Sequence, residues 1–378
     1  MQRMPGLDLL RALAIVWVML FHSYIVGGLG ERFALLQGYG WMGVDLFFVL
    51  SGYLIGRQVL APLARGERFS FATFYRRRAF RVLPAYLVVL ALYVGWPALR
   101  EVPGLSPAWQ FLSFTLNLLI DYAHAPAFSH AWSLCVEEHF YLLFPLLTVG
   151  LAKRRSMRAL LAVCIGTVLF GLAWRAHVWL HDMAPLQDTD PRGFGLHFVE
   201  GIYYPTWARL DGLLAGVLLA LAETWRPQAW ARWRARSVPL ALAGLATTGL
   251  ALVLFRDRLG LWPSVVGYPL LSGGLALLVG ACALAGPGHW RVPGAGWLAR
   301  ISYSLYLSHK LALHAVATWL VVPRALHGLA AFACYAAGVL LLGAALHYAV
   351  ERPFLRWRDR PARRTALLPA SADTASSR

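Results

Sequence analysis

The stretch LDLLRALAIVWVMLFHS, residues 7–23, decides the fold. It opens an apolar run over residues 7–28, long enough to cross a bilayer, yet it holds Arg11 and His22. At 100° per residue, the eleven-residue step brings His22 back to within about 20° of Arg11, about 16 Å further along the axis. An ionisable group at membrane depth costs roughly 2.5–3.5 kcal/mol on insertion scales, so each is a functional candidate. A cation near one face and a titratable base deep on the same stripe can hold the two ends of one long anionic molecule. The plainer reading is that Asp8 and Arg11, paired at i,i+3, mark one end of the span and His22 the other. That suits Asp8 better than His22, which has Leu20, Phe21, Tyr24 and Ile25 around it.

The remainder of the chain repeats this pattern. Of 378 residues, 59% are hydrophobic and 14% charged, where a soluble chain carries about 25% charged residues. Apolar runs lie near residues 7–28, 41–61, 80–99, 131–152, 158–179, 202–222, 238–255, 263–285, 297–322 and 328–350. The fold class is therefore an all-α polytopic membrane protein with about ten transmembrane helices. A shorter run over 109–120 is too short to span and is expected to be re-entrant or interfacial. The net charge of +17 would suggest nucleic acid in a soluble domain, but the basic residues sit in short loops between apolar runs, where they set orientation. Nucleic acid is accordingly excluded as a partner, and membrane lipids are expected. The four cysteines, Cys135, Cys164, Cys282 and Cys334, fall inside apolar runs without a CxxC pair, so neither a disulfide framework nor a metal site is expected. Asp8 and Arg11 interrupt the start of the first run, which reads as a retained helix rather than a cleaved leader.

Charge fixes the expected topology. The strongest basic segments are residues 65–81 with six arginines, KRRSMR at 153–158, residues 226–236 with four arginines, and RPFLRWRDRPARR from 352. Ten spans place all of these inside, with both termini cytoplasmic and the chain in a bacterial cytoplasmic membrane. A spanning 109–120 would put every basic segment from 153 onward outside. The domain reading is a membrane domain over 1–355 and a basic, disordered cytoplasmic tail over 356–378.

Further polar groups cluster inside the runs. In GWMGVDLFFVLSGYLIGR, residues 40–57, Asp45 sits at the outer start of the second span, where a carboxylate can orient an imidazole or simply cap a helix. Ser51-Gly52 permits close helix approach, and Arg57 is expected to snorkel. In FYRRRAFRVLPAY, residues 74–86, Arg77, Arg78 and Arg81 share about one turn at the cytoplasmic entry of the third span; guanidiniums suit phosphate, and also anchor topology. In HAWSLCVEEHFYLLFP, residues 130–145, Glu137 and Glu138 lie within a span and point to different faces, so at most one is expected in a shared cavity. Tyr141 can hydrogen-bond Glu137, and Ser133 and Trp132 flank them; Trp132 reads as an interfacial or a sugar-stacking residue. Arg209 and Asp211 enter the sixth span in WARLDGLLAG, and Ser302, Tyr303, Tyr306, His309 and Lys310 occupy the ninth in ISYSLYLSHK. These late groups either line a polar path or hold helices together.

In order and spacing, these segments, with a late ERP at 351–353, resemble the integral-membrane acyltransferase-3 family over about residues 5–355. The resemblance implies about ten spans and transfer of an acyl group, usually acetyl, from cytoplasmic acyl-CoA to a hydroxyl of a glycan, a lipid-linked saccharide or a small glycosylated molecule. By the same resemblance His22 is the essential histidine, Arg11 its partner arginine, and Arg78 and Arg81 the basic motif on the acyl-CoA side. Glu138 is the functional acid, with Glu137 a close second. No appended hydrolase-like domain is expected within the chain. The implied route has acyl-CoA, acetyl-CoA by default, as co-substrate with no bound cofactor and no metal. Its phosphates would rest on Arg11, Arg77, Arg78 and Arg81, its thioester would lie near His22, and His22 would act as general base with Asp45 or another carboxylate setting its tautomer. A covalent acyl-histidine is the rival route. Intramembrane His, Glu and Lys suit a transporter or flippase as well, which would consume no acyl-CoA.

Overall fold

The computed structural model describes residues 4–27, 34–153, 157–286 and 289–359. Ten principal helices carry the fold: α1 (Pro5–His22), α2 (Met42–Ala64), α3 (Phe71–Gly95), α4 (Trp132–Lys153), α5 (Met157–Val178), α6 (Asp211–Trp225), α7 (Ser237–Leu254), α8 (Tyr268–Ala285), α9 (Ala295–Val316) and α10 (Gly328–Leu346). Among the described residues there is no β-strand, only isolated bridges from Leu105 to Pro126 and Ala127.

Helix α1 starts with Pro5 at its first turn, where a missing N–H costs nothing, and Asp8 faces the positive end of the helix dipole. It closes through a 3₁₀ turn onto Gly27, whose φ of 83° is the left-handed conformation that glycine adopts freely. Its buried face, Leu7, Leu10, Ala14, Ile15, Val18 and His22, repeats at helical spacing and packs on α2, α8 and α9.

Helix α2 is buried along most of its length and is the centre of the bundle. It meets α6 through glycines on both helices, Gly52 and Gly56 of α2 and Gly212 and Gly216 of α6; a Cβ on Gly52 would fall on the Leu213 carbonyl. Arg57, expected to snorkel, instead pairs with Glu223 of α6 at 3.0 Å, and Tyr53 donates to the same carboxylate at 2.7 Å.

Among the described residues, eight helical stretches are long and apolar enough to cross a membrane. The predicted sixth and ninth spans fall outside that set for different reasons. The sixth is broken by turns before Asp211, and its 15-residue helix rises only about 22 Å against a core of about 30 Å. The ninth, α9, has the length, but Ser302, Ser304, Ser308, His309 and Lys310 line it and are buried inside the bundle. The 109–120 segment forms two short helices, Ala108–Leu112 and Leu116–Leu119, separated by Phe114 at φ 55°, and does not span. Beyond a short helix over Arg352–Arg358, residues 360–378 of the expected tail lie outside the described residues, as do residues 154–156 of KRRSMR.

Candidate active site

Three cavities run in series through the bundle. At the end bearing the basic loops, a cavity of about 570 Å³ is lined by Arg11, Arg78, Arg81, Arg300, Arg352 and Arg358. Arg11 reaches it from α1 and Arg78 and Arg81 from α3; Arg77, on the same turn, is exposed and does not line it. Arg81 forms an ion pair with Glu351, which also accepts from Ser304 at 2.7 Å and bonds the His347 ring at 2.8 Å. Arg78 lies 5.4 Å above the Tyr141 ring, and Arg81 lies 5.6 Å above Tyr303. Held by ring faces, these guanidiniums can turn the N–H groups not engaged by Glu351 or Gln58 toward an anion.

The middle cavity, about 130 Å³, shares Arg11, Ser51, Arg78, Arg81 and Tyr141 with the first. Glu137 accepts hydrogen bonds from Ser51 at 2.7 Å and from Tyr141 at 2.8 Å. Contrary to the expectation that at most one glutamate faces a shared cavity, both Glu137 and Glu138 line this one, with Ser133, Ser302 and Tyr303. Adjacent helical residues diverge by about 100°, and a cavity between α1, α3, α4 and α9 is wide enough to meet both.

The outer cavity, about 340 Å³, shares Val44 and Tyr306 with the middle one and holds His22. His22 Nδ1 lies 2.9 Å from the Val18 carbonyl, four residues back on its own helix. A carbonyl only accepts, so Nδ1 carries the hydrogen and Nε2 presents its lone pair. Two further imidazoles pack against it: His309 at 4.7 Å between ring centres and His130 at 6.2 Å. His309 Nδ1 likewise donates to the Tyr306 carbonyl at 2.7 Å, and its Nε2 has no partner. Lys310 sits 3.4 Å from Glu101, which accepts from Tyr93 at 3.0 Å and from the Phe128 backbone N–H. The Tyr306 hydroxyl bonds Ser133 at 2.5 Å and donates to the His130 carbonyl at 2.9 Å. Tyr122, on the loop outside the spans, also lines this cavity; burial raises its pKa and keeps it a donor.

Asp45 is placed differently from its expected role. Its Oδ1 accepts from Arg209 at 2.6 Å, and nothing joins it to His22, whose tautomer is set by its own backbone. Arg209 in turn lies 4.1 Å above Tyr268 and 4.4 Å above Tyr203. Asp211 pairs with Arg175 at 2.8 Å, so these four residues form two buried ion pairs that lock α2, α5 and α6 together. Trp132 is buried and stacks on Tyr204 at 5.1 Å, inside the bundle rather than in an interfacial belt.

Sequence reasoning missed Glu101, His130, Arg175 and Arg258. His130 stood in a quoted motif, beside Trp132, and could have been found there. Glu101 and Arg258 lie in short connections, where helical periodicity gives no signal. Among the described residues, no group of three or more His, Cys, Asp or Glu side chains is arranged to hold a metal ion.

A family model described as an acyltransferase domain matches residues 4–348. The chain is 28% identical over 269 residues to the O-acetyltransferase OatA of Staphylococcus aureus strain NCTC 8325, covering 66% of this chain and 40% of that protein. It is 30% identical over 230 residues to the peptidoglycan O-acetyltransferase OatA of Listeria monocytogenes strain EGD-e, covering 57% of this chain and 33% of that protein. The chain thus spans less than half the length of these relatives. No solved structure matches it.

Proposed function

Because the chain belongs to the acyltransferase-3 family of integral-membrane O-acyltransferases, we propose that it transfers an acetyl group from acetyl-CoA to a glycan hydroxyl, with His22 as general base. One observation carries the reading: three cavities with shared lining residues join an arginine-walled lobe to a histidine whose Nε2 is left free. The CoA phosphates rest on Arg11, Arg78 and Arg81, with Arg300, Arg352 and Arg358 around them; bidentate guanidinium contacts suit a diphosphate and a ribose phosphate. The pantetheine arm passes the glutamates, and the thioester reaches the outer cavity. His22 Nε2 removes the acceptor hydroxyl proton as the oxygen attacks the thioester carbon. Lys310, which lines the same cavity, supplies a donor for the oxyanion. Collapse expels the CoA thiolate, which takes the proton back from His22. The likeness to enzymes named as peptidoglycan O-acetyltransferases favours a cell-wall glycan as acceptor.

In this proposal the arginine lobe faces the cytoplasm of a bacterial inner membrane, both termini are cytoplasmic, and the outer cavity opens to the acceptor side. The test is an NMR census of glycan esters in a deletion strain complemented with wild type or with His22→Ala, at matched membrane levels. One O-acetyl signal restored only by wild type is expected. Equal restoration by His22→Ala overturns the base assignment. A glycan-ester census that never changes with the gene means that the acceptor is a small glycosylated molecule or returns the transporter reading.

A further inference from the structure

Arg258 is a cation of the outer cavity that forms no ion pair among the described residues; the carboxylate that feels its charge, Asp45, is already bonded to Arg209. Of the cations near it, Lys310, on the same cavity, pairs with Glu101 at 3.4 Å, and Arg209, on the same Tyr203 ring, pairs with Asp45 at 2.6 Å. Arg258 makes no ion pair, and its buried Nε has no hydrogen-bond partner. What holds it is aromatic: its guanidinium lies 4.6 Å from the Trp41 ring centre, 4.8 Å from Tyr203, 5.6 Å from Phe198 and 5.7 Å from Phe21. Ring faces fix a guanidinium in place without occupying its in-plane N–H groups. A partly buried guanidinium with idle donors is costly unless something anionic completes it. The same cavity is walled by Trp132, Tyr203, Tyr204 and Tyr24, amphipathic rings whose faces and polar tips, an indole N–H or a hydroxyl, suit sugars.

We propose that the acceptor is an acidic saccharide and that Arg258 binds its carboxylate, fixing which sugar enters and which hydroxyl turns toward His22. The inference rests on the transfer reading above and adds the class of acceptor. A carboxylate fits better than a phosphate, because one unpaired guanidinium matches one negative charge with two parallel hydrogen bonds. The phosphate-suited lobe at the other end gathers six arginines instead.

The experiment uses the full-length protein in detergent with two matched pairs of probes. One pair is the N-acetylglucosaminyl-N-acetylmuramic acid disaccharide and its methyl ester; the other is digalacturonic acid and its dimethyl ester. Binding is read by tryptophan fluorescence and transfer by labelled acetyl-CoA. Wild type is expected to bind the acid form of at least one pair about 10- to 100-fold more tightly than its ester. Arg258→Gln should bring that ratio to about one, and Arg258→Lys, charged but not bidentate, should leave an intermediate ratio. Equal binding of acid and ester by wild type, or an unchanged ratio in a folded Arg258→Gln protein, overturns the inference. Acid-selective binding without transfer to any probe supports this inference and counts against the transfer reading. Transfer without acid preference does the reverse.

Discussion

Asp45 separates two roles that a carboxylate near a catalytic histidine can play. Its bond to Arg209 at 2.6 Å makes it one half of a buried pair, 164 residues away in sequence. Removing one partner of such a pair strands a buried charge and costs about 3–5 kcal/mol. Asp45→Ala is therefore expected to lower the thermal midpoint of the detergent-solubilised protein sharply, and Arg209→Met in the same background should recover part of the loss. A carboxylate that oriented His22 would give the opposite pattern, with turnover lost at an unchanged midpoint, and that result would refute the structural assignment. The contrast also shows what was legible at this scale. Arg11 and His22 on one stripe follow from helical periodicity alone, and both line the cavity series. Asp45–Arg209 and Glu101–Lys310 join distant segments, and periodicity within one helix carries no information about which residue of another helix lies opposite.

Among the elements, the contact between α2 and α6 is the tightest test of packing. Gly52 and Gly56 on one helix and Gly212 and Gly216 on the other are spaced four apart, so each pair forms a groove one turn long. A methyl group at Gly216 would meet the Val49 carbonyl and the Tyr53 amide, which are backbone and cannot swing aside. Gly52→Ala and Gly216→Ala are expected to destabilise by about 1–3 kcal/mol, whereas Gly249→Ala on α7, where an added Cβ meets nothing within 4 Å, should be neutral or slightly stabilising. Thermal midpoints of the three variants decide it; equal midpoints would mean the two helices are not pressed together. The glycine spacing was readable beforehand, but not its partner. Nor was the shortness of α6, since the apolar run 202–222 hides the turns that end at Leu210.

For the whole molecule, the decisive arrangement is a cavity series with opposite chemistry at its two ends. Six arginines line one end, and aromatic rings, three imidazoles and Arg258 gather at the other. The series works as a path for a cytoplasmic donor only if the arginine end faces the cytoplasm, and the positive-inside bias of the loops requires the same orientation. The two arguments share Arg78, Arg81, Arg352 and Arg358, which lie in the basic segments and also line the lobe, so one topology experiment tests both. With the four native cysteines replaced by alanine, Arg68→Cys marks the exposed loop beside the arginine lobe, and Asp188→Cys marks an exposed turn between α5 and α6. A membrane-impermeant maleimide is expected to label Asp188→Cys in intact cells and Arg68→Cys only after permeabilisation. Labelling of Arg68→Cys in intact cells would turn the arginine lobe away from the CoA pool, and the donor path would then have to be abandoned whatever the local geometry suggests.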